Sequence, residues 1–274
     1  AEGAYLQLAF FVASTLLMMM LNNTNSLIRI YSRMVSCSFV AMTCAATFLF
    51  SSLESCATGM CFILFYLSLL RSYQDKRAPG IAFYSFACLG IASLFFVQIL
   101  YFVPFLWILM ASNMMALTHR MFWATVLGLV MPYWFAVGYY VVTNQFDAFI
   151  DHFAELAQFE PLLQYEALDI HRIATFGLVV LLAVIGIIHY MRNSYQDKIR
   201  TRMIFEMFIT VDILSFVFII LQPQHFDNLL PIIIVNTSCL FAHYVALTRT
   251  WLTNVTFIVM CLATLGLTIF NLMP

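Results

Sequence analysis

Long apolar runs separated by short polar gaps fill almost the whole chain. A helix of about 20 apolar residues crosses the hydrocarbon core of a bilayer, where only helices and closed barrels satisfy their own backbone groups. The pattern therefore predicts an all-α polytopic transmembrane helical bundle of about ten spans. They are expected to form one integral-membrane domain over residues 1–274. The expected spans are 5–21, 34–53, 59–70, 81–97, 99–116, 122–142, 173–191, 203–221, 229–247 and 251–272.

The third of these runs is short, and the fourth and fifth nearly fuse at Gln98. A tight hairpin or a re-entrant pair would fit that region.

Composition agrees with a membrane protein and excludes several other classes. Hydrophobic residues form 64% of the chain and charged residues only 9%, whereas soluble domains carry about 25% charged residues. The net charge of −1 argues against nucleic acid as a partner. The Walker A, dinucleotide-binding, H-E-x-x-H and G-x-S-x-G motifs are absent, which excludes a self-contained ATP-driven pump, a zincin and an α/β-hydrolase. We expect no cofactor.

The basic residues predict the orientation, because Lys and Arg accumulate in cytoplasmic loops. They collect in every odd-numbered gap between spans, and Arg172 is the exception. Odd-numbered gaps are therefore expected to be cytoplasmic, and both ends of this chain are expected to face outward. A chain that inserts from the cytoplasm reaches this orientation with one more upstream span or with a cleaved signal. The residues are Arg29, Arg33, Arg71, Lys76, Arg77, Arg120, Arg192, Lys198, Arg200, Arg202 and Arg249.

A pentapeptide occurs twice, as Ser72-Tyr73-Gln74-Asp75-Lys76 and as residues 194–198. Two spans after each copy, Ala-Leu-Thr followed by Arg recurs at 116–120 and 246–249. The order favours a parallel duplication with halves 59–142 and 173–272, separated by an outer loop at 143–172, and parallel repeats occur in transporters. The alternative is coincidence, because cytoplasmic turns are generally polar and basic.

Asp212 is the most informative single residue, since it lies near the middle of an apolar run, where a carboxylate is costly unless it is paired or hydrated. It is expected to be buried in the bundle, with Glu206 as a second buried ionisable group nearer the cytoplasm. Asp212 is a candidate proton relay, cation site or general base, and the alternative is a carboxyl that locks helix packing. His189 and His243, near cytoplasmic ends, are expected to reach the interface.

The outer loop contains a predicted amphipathic helix that lies in the membrane interface. Phe146, Phe149, Ile150, Phe153 and Leu156 share one face, and Asp147, Asp151 and Glu155 form an acidic stripe on the other. Asp151, His152 and Glu155 are weak candidates for a metal site, but they lack a recognised ligand spacing, and a solvated acidic face is favoured over metal binding.

Glu54, which closes the second span on the outer side, is a weak catalytic candidate beside Asp212. The alternative for Glu54 is an interfacial helix cap. The gap at 22–33, with Arg29 and Arg33, could meet a phosphate or a lipid headgroup, although the cytoplasmic location alone explains both arginines.

Short motifs spread over most of the chain resemble an uncharacterised, unknown-function family of polytopic inner-membrane proteins from Bacteroidota. The resemblance implies a bacterial inner (cytoplasmic) membrane protein with an additional span upstream, and it implies no site residues. In that membrane, the orientation predicted from the basic residues places both ends of this chain in the periplasm. The motifs are Asn22-Asn23, Glu54, Leu69-Leu70-Arg71-Ser72-Tyr73, the stretches 90–96 and 105–108, Gly128, Pro132-Tyr133, and Tyr195 with Arg200 and Arg202-Met203.

More distantly, the sequence of residues 90–107 resembles a helix pair of GT-C membrane glycosyltransferases. Those enzymes use lipid-phosphate sugar donors and an outer-loop acidic residue near the first span, for which Glu54 is the substitute candidate here.

Three functions follow. The first is an accessory, non-catalytic subunit of an inner-membrane complex in cell-envelope biogenesis, which the scarcity of buried ionisable groups favours. The second is a GT-C-like lipid-linked sugar transferase. The third is a proton- or cation-coupled secondary transporter that uses Asp212. The expected partners are membrane lipid, a lipid-linked saccharide and other inner-membrane proteins.

Overall fold

The computed structural model describes residues 2–157, 168–248 and 250–272. Every element in those ranges is helical. The α-helices are α1 (Glu2–Asn25), α2 (Met34–Ala45), α3 (Leu53–Leu69), α4 (Pro79–Phe95), α5 (Val103–Ser112), α6 (His119–Val142), α7 (Phe146–Ala157), α8 (Ile170–Asn193), α9 (Ile199–Leu221), α10 (Phe226–Leu247) and α11 (Trp251–Leu272).

Seven of the described helical segments are long and apolar enough to cross a membrane, so the prediction of a multi-pass membrane protein is confirmed. These segments cover all or most of α1, α3, α6, α8, α9, α10 and α11. Three further apolar segments, Met34–Ala45, Pro79–Phe95 and Val97–Ser112, are shorter. All ten predicted runs therefore coincide with helical segments, and seven reach spanning length.

The boundary between the second and third predicted spans differs from the expectation. α2 ends at Ala45, a short 3-10 helix covers Thr47–Ser51, and α3 starts at Leu53. Ser52 is extended, and its hydroxyl accepts a hydrogen bond from the Ser55 N–H at 3.3 Å. This is the geometry of a helix N-cap, and it makes the third helix longer than the predicted run 59–70.

The chain divides into two compact units, residues 1–59 with 163–274 and residues 60–162. In the first unit α10 packs against α2, α8 and α9, and every residue from Leu229 to His243 is buried. Gly186 of α8 lets that helix approach α10, since a Cβ there would lie 2.8 Å from the carbonyl carbon of Leu240.

In the second unit α4 and α6 form the main helix pair. Their close approach depends on two glycines. A Cβ on Gly90 would lie 2.7 Å from the Leu129 carbonyl oxygen, and a Cβ on Gly128 would collide with the Phe83 carbonyl oxygen. Small residues are typical of membrane helix interfaces, because they let backbones approach closely.

Residues from predicted cytoplasmic gaps, or from the span ends next to them, meet at one end of each unit, which we call the inner end. In the first unit Arg200 donates to Asn25 Oδ1 at 2.9 Å, and in the second the Gln74 N–H donates to the Met114 carbonyl at 2.9 Å. Residues from the predicted outer ends of spans meet at the opposite, outer end; in the first unit the Thr47 hydroxyl donates to the Asn271 carbonyl at 3.3 Å. Within each unit the helices therefore alternate in direction as the hydropathy pattern requires.

Candidate functional site

A buried ion-pair network lies at the inner end of the first unit. The Asp197 side chain is fully buried and contacts two basic groups. Arg29 Nε lies 3.0 Å from Asp197 Oδ1, and His243 Nε2 lies 3.0 Å from Oδ2. Arg29 Nη1 also donates to Gln196 Oε1 at 3.0 Å. We call Arg29, Asp197 and His243 the Asp197 network.

Three separate elements position this network. Asp197 follows a single 3-10 turn, Ser194–Gln196, and its N–H donates to the Ser194 carbonyl at 3.0 Å. α9 begins two residues later, so the carboxylate is fixed at the junction of α8 and α9. Arg29 comes from the segment between α1 and α2, and His243 comes from the last two turns of α10.

The histidine rings extend the network into α8. The His189 ring lies beside the His243 ring, with centroids 5.5 Å apart, and Asn193 Nδ2 is 3.0 Å from His189 Nδ1. His243 is fully buried and His189 is only 9% exposed. The expectation that both would reach the interface is wrong, because the Asp197 carboxylate is buried with them and holds His243 inside the bundle.

A polar cavity of about 670 Å³ lies beside the network. Its walls carry two cations, Arg29 and Lys198, and no carboxylate among the described lining residues. Amide and hydroxyl groups and two isoleucines complete the wall: Asn22, Asn23, Ser26, Ile28, Ile30, Tyr31, Ser32, Gln196 and Thr201. A cavity of this size falls within the range of about 300–1,000 Å³ that small-molecule sites occupy.

Asp212 forms a second, separate polar site between α9 and α10. It is fully buried, and the Thr237 hydroxyl donates to Oδ2 at 3.0 Å. The Asn236 amide lies against the same carboxyl. Both partners come from the neighbouring helix, α10.

Glu206 does not share this environment. It is exposed on α9, so the burial expected for both acidic residues holds only for Asp212. The physical reason is helical geometry, because six residues at about 100° each turn Glu206 well away from the buried face.

The candidate residues at the outer end do not form one site. Glu54 is exposed in the first turn of α3, where a carboxylate complements the helix dipole. Arg172 is the one basic residue outside the predicted cytoplasmic gaps, and it forms a bidentate salt bridge with Asp227, with both N···O distances 2.9 Å. That partner, at the start of α10, accounts for a cation at the outer end.

Asn271 joins three helices at the outer end, and the sequence analysis did not single it out. Its amide donates to the Ala45 carbonyl at 2.7 Å and to the Thr175 hydroxyl at 2.9 Å. Its oxygen lies 3.1 Å from His171 Nδ1. An asparagine near the end of the last apolar run is the sequence signal that could have indicated such a link.

α7 begins at Phe146, and its side chains have the amphipathic arrangement that the spacing predicts. Phe149 and Phe153 pack on Tyr133, at centroid distances of 6.4 and 5.0 Å, while Asp151 and Glu155 are exposed. His152 Nε2 is 3.0 Å from the Ser93 carbonyl, and no group of three candidate metal ligands occurs among the described residues. Residues 158–167 of the loop lie outside the described residues.

The two pentapeptides share a local turn but differ in environment. In both, the Asp N–H donates to the Ser carbonyl at 3.0 Å. Asp75 is exposed and accepts from the Arg77 N–H at 2.8 Å, whereas Asp197 is buried in its network. Gln74 has φ of +58°, a left-handed conformation that its counterpart Gln196 does not adopt.

No protein-family model, curated protein or solved structure matches this chain.

Proposed function

We propose that this chain is a multi-pass inner-membrane protein of cell-envelope biogenesis that serves as a non-catalytic, accessory subunit of a membrane complex. One observation carries the proposal: among the described residues, the two acidic side chains that are fully buried both make internal contacts. Asp197 contacts Arg29 and His243, and Asp212 accepts from Thr237. A reaction centre or a transport path needs such groups open to substrate, whereas a scaffold uses them to fix helix packing.

We further propose ten spans with both chain ends in the periplasm. The short helix α2 and the 3-10 helix that follows it reach about 28 Å together, and the segment Val97–Ser112 reaches about 27 Å. Both lengths approach the ~30 Å hydrocarbon thickness. A fluorescent-protein fusion after Lys76 should be bright, and a phosphatase fusion after Gln145 should be active. The reverse pattern would refute this topology.

An open groove between α8 and α11 offers a docking place for a transmembrane helix of the partner protein. It encloses about 440 Å³ and is lined by apolar side chains together with Gly177, Ala263 and Gly266. A Cβ on either glycine would meet nothing within 4 Å. Such small residues let a second helix approach closely.

The test places a photo-crosslinking amino acid at Ala263 and compares Gly266→Leu with Gly138→Leu. Gly138 is the matched control, because it is equally open and lies on α6. We expect one other membrane protein to crosslink in constant ratio, to be lost with Gly266→Leu and to be retained with Gly138→Leu. Crosslinks to lipid alone, or to a second copy of this chain alone, would contradict the proposal.

A secondary transporter is the second candidate, favoured by the position of an ionisable residue, Asp212, in the middle of a long apolar helix. Asp212→Asn separates the two functions, because an amide retains the oxygen that accepts from Thr237 and loses only the titratable group. An accessory subunit with Asp212→Asn should still complement a deletion strain. Loss of complementation with partner crosslinking intact would replace the subunit proposal with transport.

A further inference from the structure

The polar cavity beside the Asp197 network has the chemistry of an anion site. Arg29 and Lys198 line it, and the side chain of Arg29 remains 35% exposed. Asp197, the nearest acidic residue in the sequence, is fully buried against Arg29 and His243 and does not line the cavity. Arg29 is therefore already paired with a carboxylate, and Lys198 is the lining cation for which no ion pair occurs among the described residues.

The start of α9 adds to the positive charge beside the cavity. α9 is 23 residues long, and its N-cap residue, Lys198, makes no side-chain capping bond. Both Lys198 and Thr201, in the first turn, line the cavity. The N-terminus of a long helix carries a partial positive charge and free N–H donors, which favour phosphate.

Asn22 supplies a second and independent indication. It is only 6% exposed, and it lines the cavity. Its Nδ2 donates to the Ser32 carbonyl at 2.9 Å, while its Oδ1 is buried with no hydrogen-bond partner among the described residues. Buried acceptors are nearly always satisfied, so a ligand that reaches this oxygen would satisfy it by offering a donor such as a hydroxyl.

The cavity wall also carries Ile28 and Ile30, and the neighbouring Tyr31 is 83% exposed. These apolar and aromatic side chains suit the membrane interface, where headgroup and acyl chain meet.

We propose that this cavity binds a phosphate ester that bears a free hydroxyl, with the phosphate at Lys198, Arg29 and the α9 N-terminus and the hydroxyl at Asn22. A phosphatidylglycerol headgroup has this chemistry, and so does a soluble glycerol phosphate. The site is independent of the subunit role proposed above.

The test measures lipid binding to the delipidated full-length chain by native mass spectrometry. Lys198→Gln removes one lining cation, and Lys76→Gln is the matched control, because it makes the same change in the other copy of the pentapeptide. A basic residue near anionic lipid contributes about 1 kcal/mol. Lys198→Gln should therefore weaken phosphatidylglycerol binding about fivefold, and Lys76→Gln should not change it.

Phosphatidylethanol tests the hydroxyl, because it has the same charge and ester but no headgroup hydroxyl. We expect it to bind about three- to tenfold more weakly than phosphatidylglycerol. Displacement of the lipid by glycerol 1-phosphate would identify a soluble ligand, and failure to displace it would identify the lipid. Equal phosphatidylglycerol binding by Lys198→Gln and Lys76→Gln, or equal binding of the two lipids, would overturn the proposal.

Discussion

Replacement of Asp197 by Asn should weaken the fold far more than the same change at Asp75 in the matching pentapeptide. Asp197 is fully buried between Arg29 and His243, with both contacts at 3.0 Å. Removing one partner of a buried ion pair costs about 3–5 kcal/mol. Arg29 is a third exposed, so solvent meets part of its charge after the change. The expected loss in the free energy of unfolding is therefore about 1–3 kcal/mol.

The measurement is unfolding by sodium dodecyl sulfate in mixed micelles, followed by the fluorescence of the four tryptophans. Asp75→Asn should leave the midpoint unchanged, because Asp75 is exposed and an amide oxygen can still accept from the Arg77 N–H. Arg29→Gln combined with Asp197→Asn should cost less than the sum of the single changes by about 0.5–3 kcal/mol. Equal midpoints for the Asp197 and Asp75 variants would refute the network.

Two further stability predictions follow from close contacts. Gly186→Ala should lower the free energy of unfolding by about 1–3 kcal/mol, because its Cβ would lie 2.8 Å from the Leu240 backbone. Gly177→Ala in the same helix is the control, because its Cβ would meet nothing within 4 Å. It should be neutral or slightly stabilising in the same assay. Asn271→Ala removes two hydrogen bonds donated by the amide and should cost about 1 kcal/mol, since such bonds average about 0.6 kcal/mol in membrane proteins. An unchanged unfolding midpoint for Asn271→Ala would show that another donor, such as water, replaces the amide at both acceptors.

Hydropathy predicted the helices because membrane spans depend on length and apolar content, which a single sequence states directly. It misplaced the start of α3 because the cluster around Ser52 and Glu54 is polar enough to resemble a loop, although Ser52 is a helix cap. The repeat and the count of ten spans remain predictions. The side-chain environment of Asp212 followed from its position alone, since a lone carboxyl in an apolar run must find partners.

The Asp197 network could not be predicted, because its members belong to three distant segments. The sequence pattern placed Arg29 in a cytoplasmic loop and His243 at the membrane interface. It singled out Asp197 only as part of the repeated pentapeptide. One signal was present: Asp197 is the only acidic residue between Arg192 and Arg202. A single carboxylate among several cations indicates an internal pair, but the sequence does not say which cation it meets or whether it is buried.

The separation of these residues along the chain has a consequence for biogenesis. Helices enter the membrane in the order of their synthesis, so the segment carrying Arg29 is in place long before α9 and α10 exist. Asp197 is synthesised 46 residues before His243. Until α10 inserts, Arg29 is the one member of the pair Arg29 and His243 that can contact the carboxylate. Insertion of α10 thus closes the network last, and nascent chains that stall before it expose an incomplete inner end that quality-control proteases can recognise.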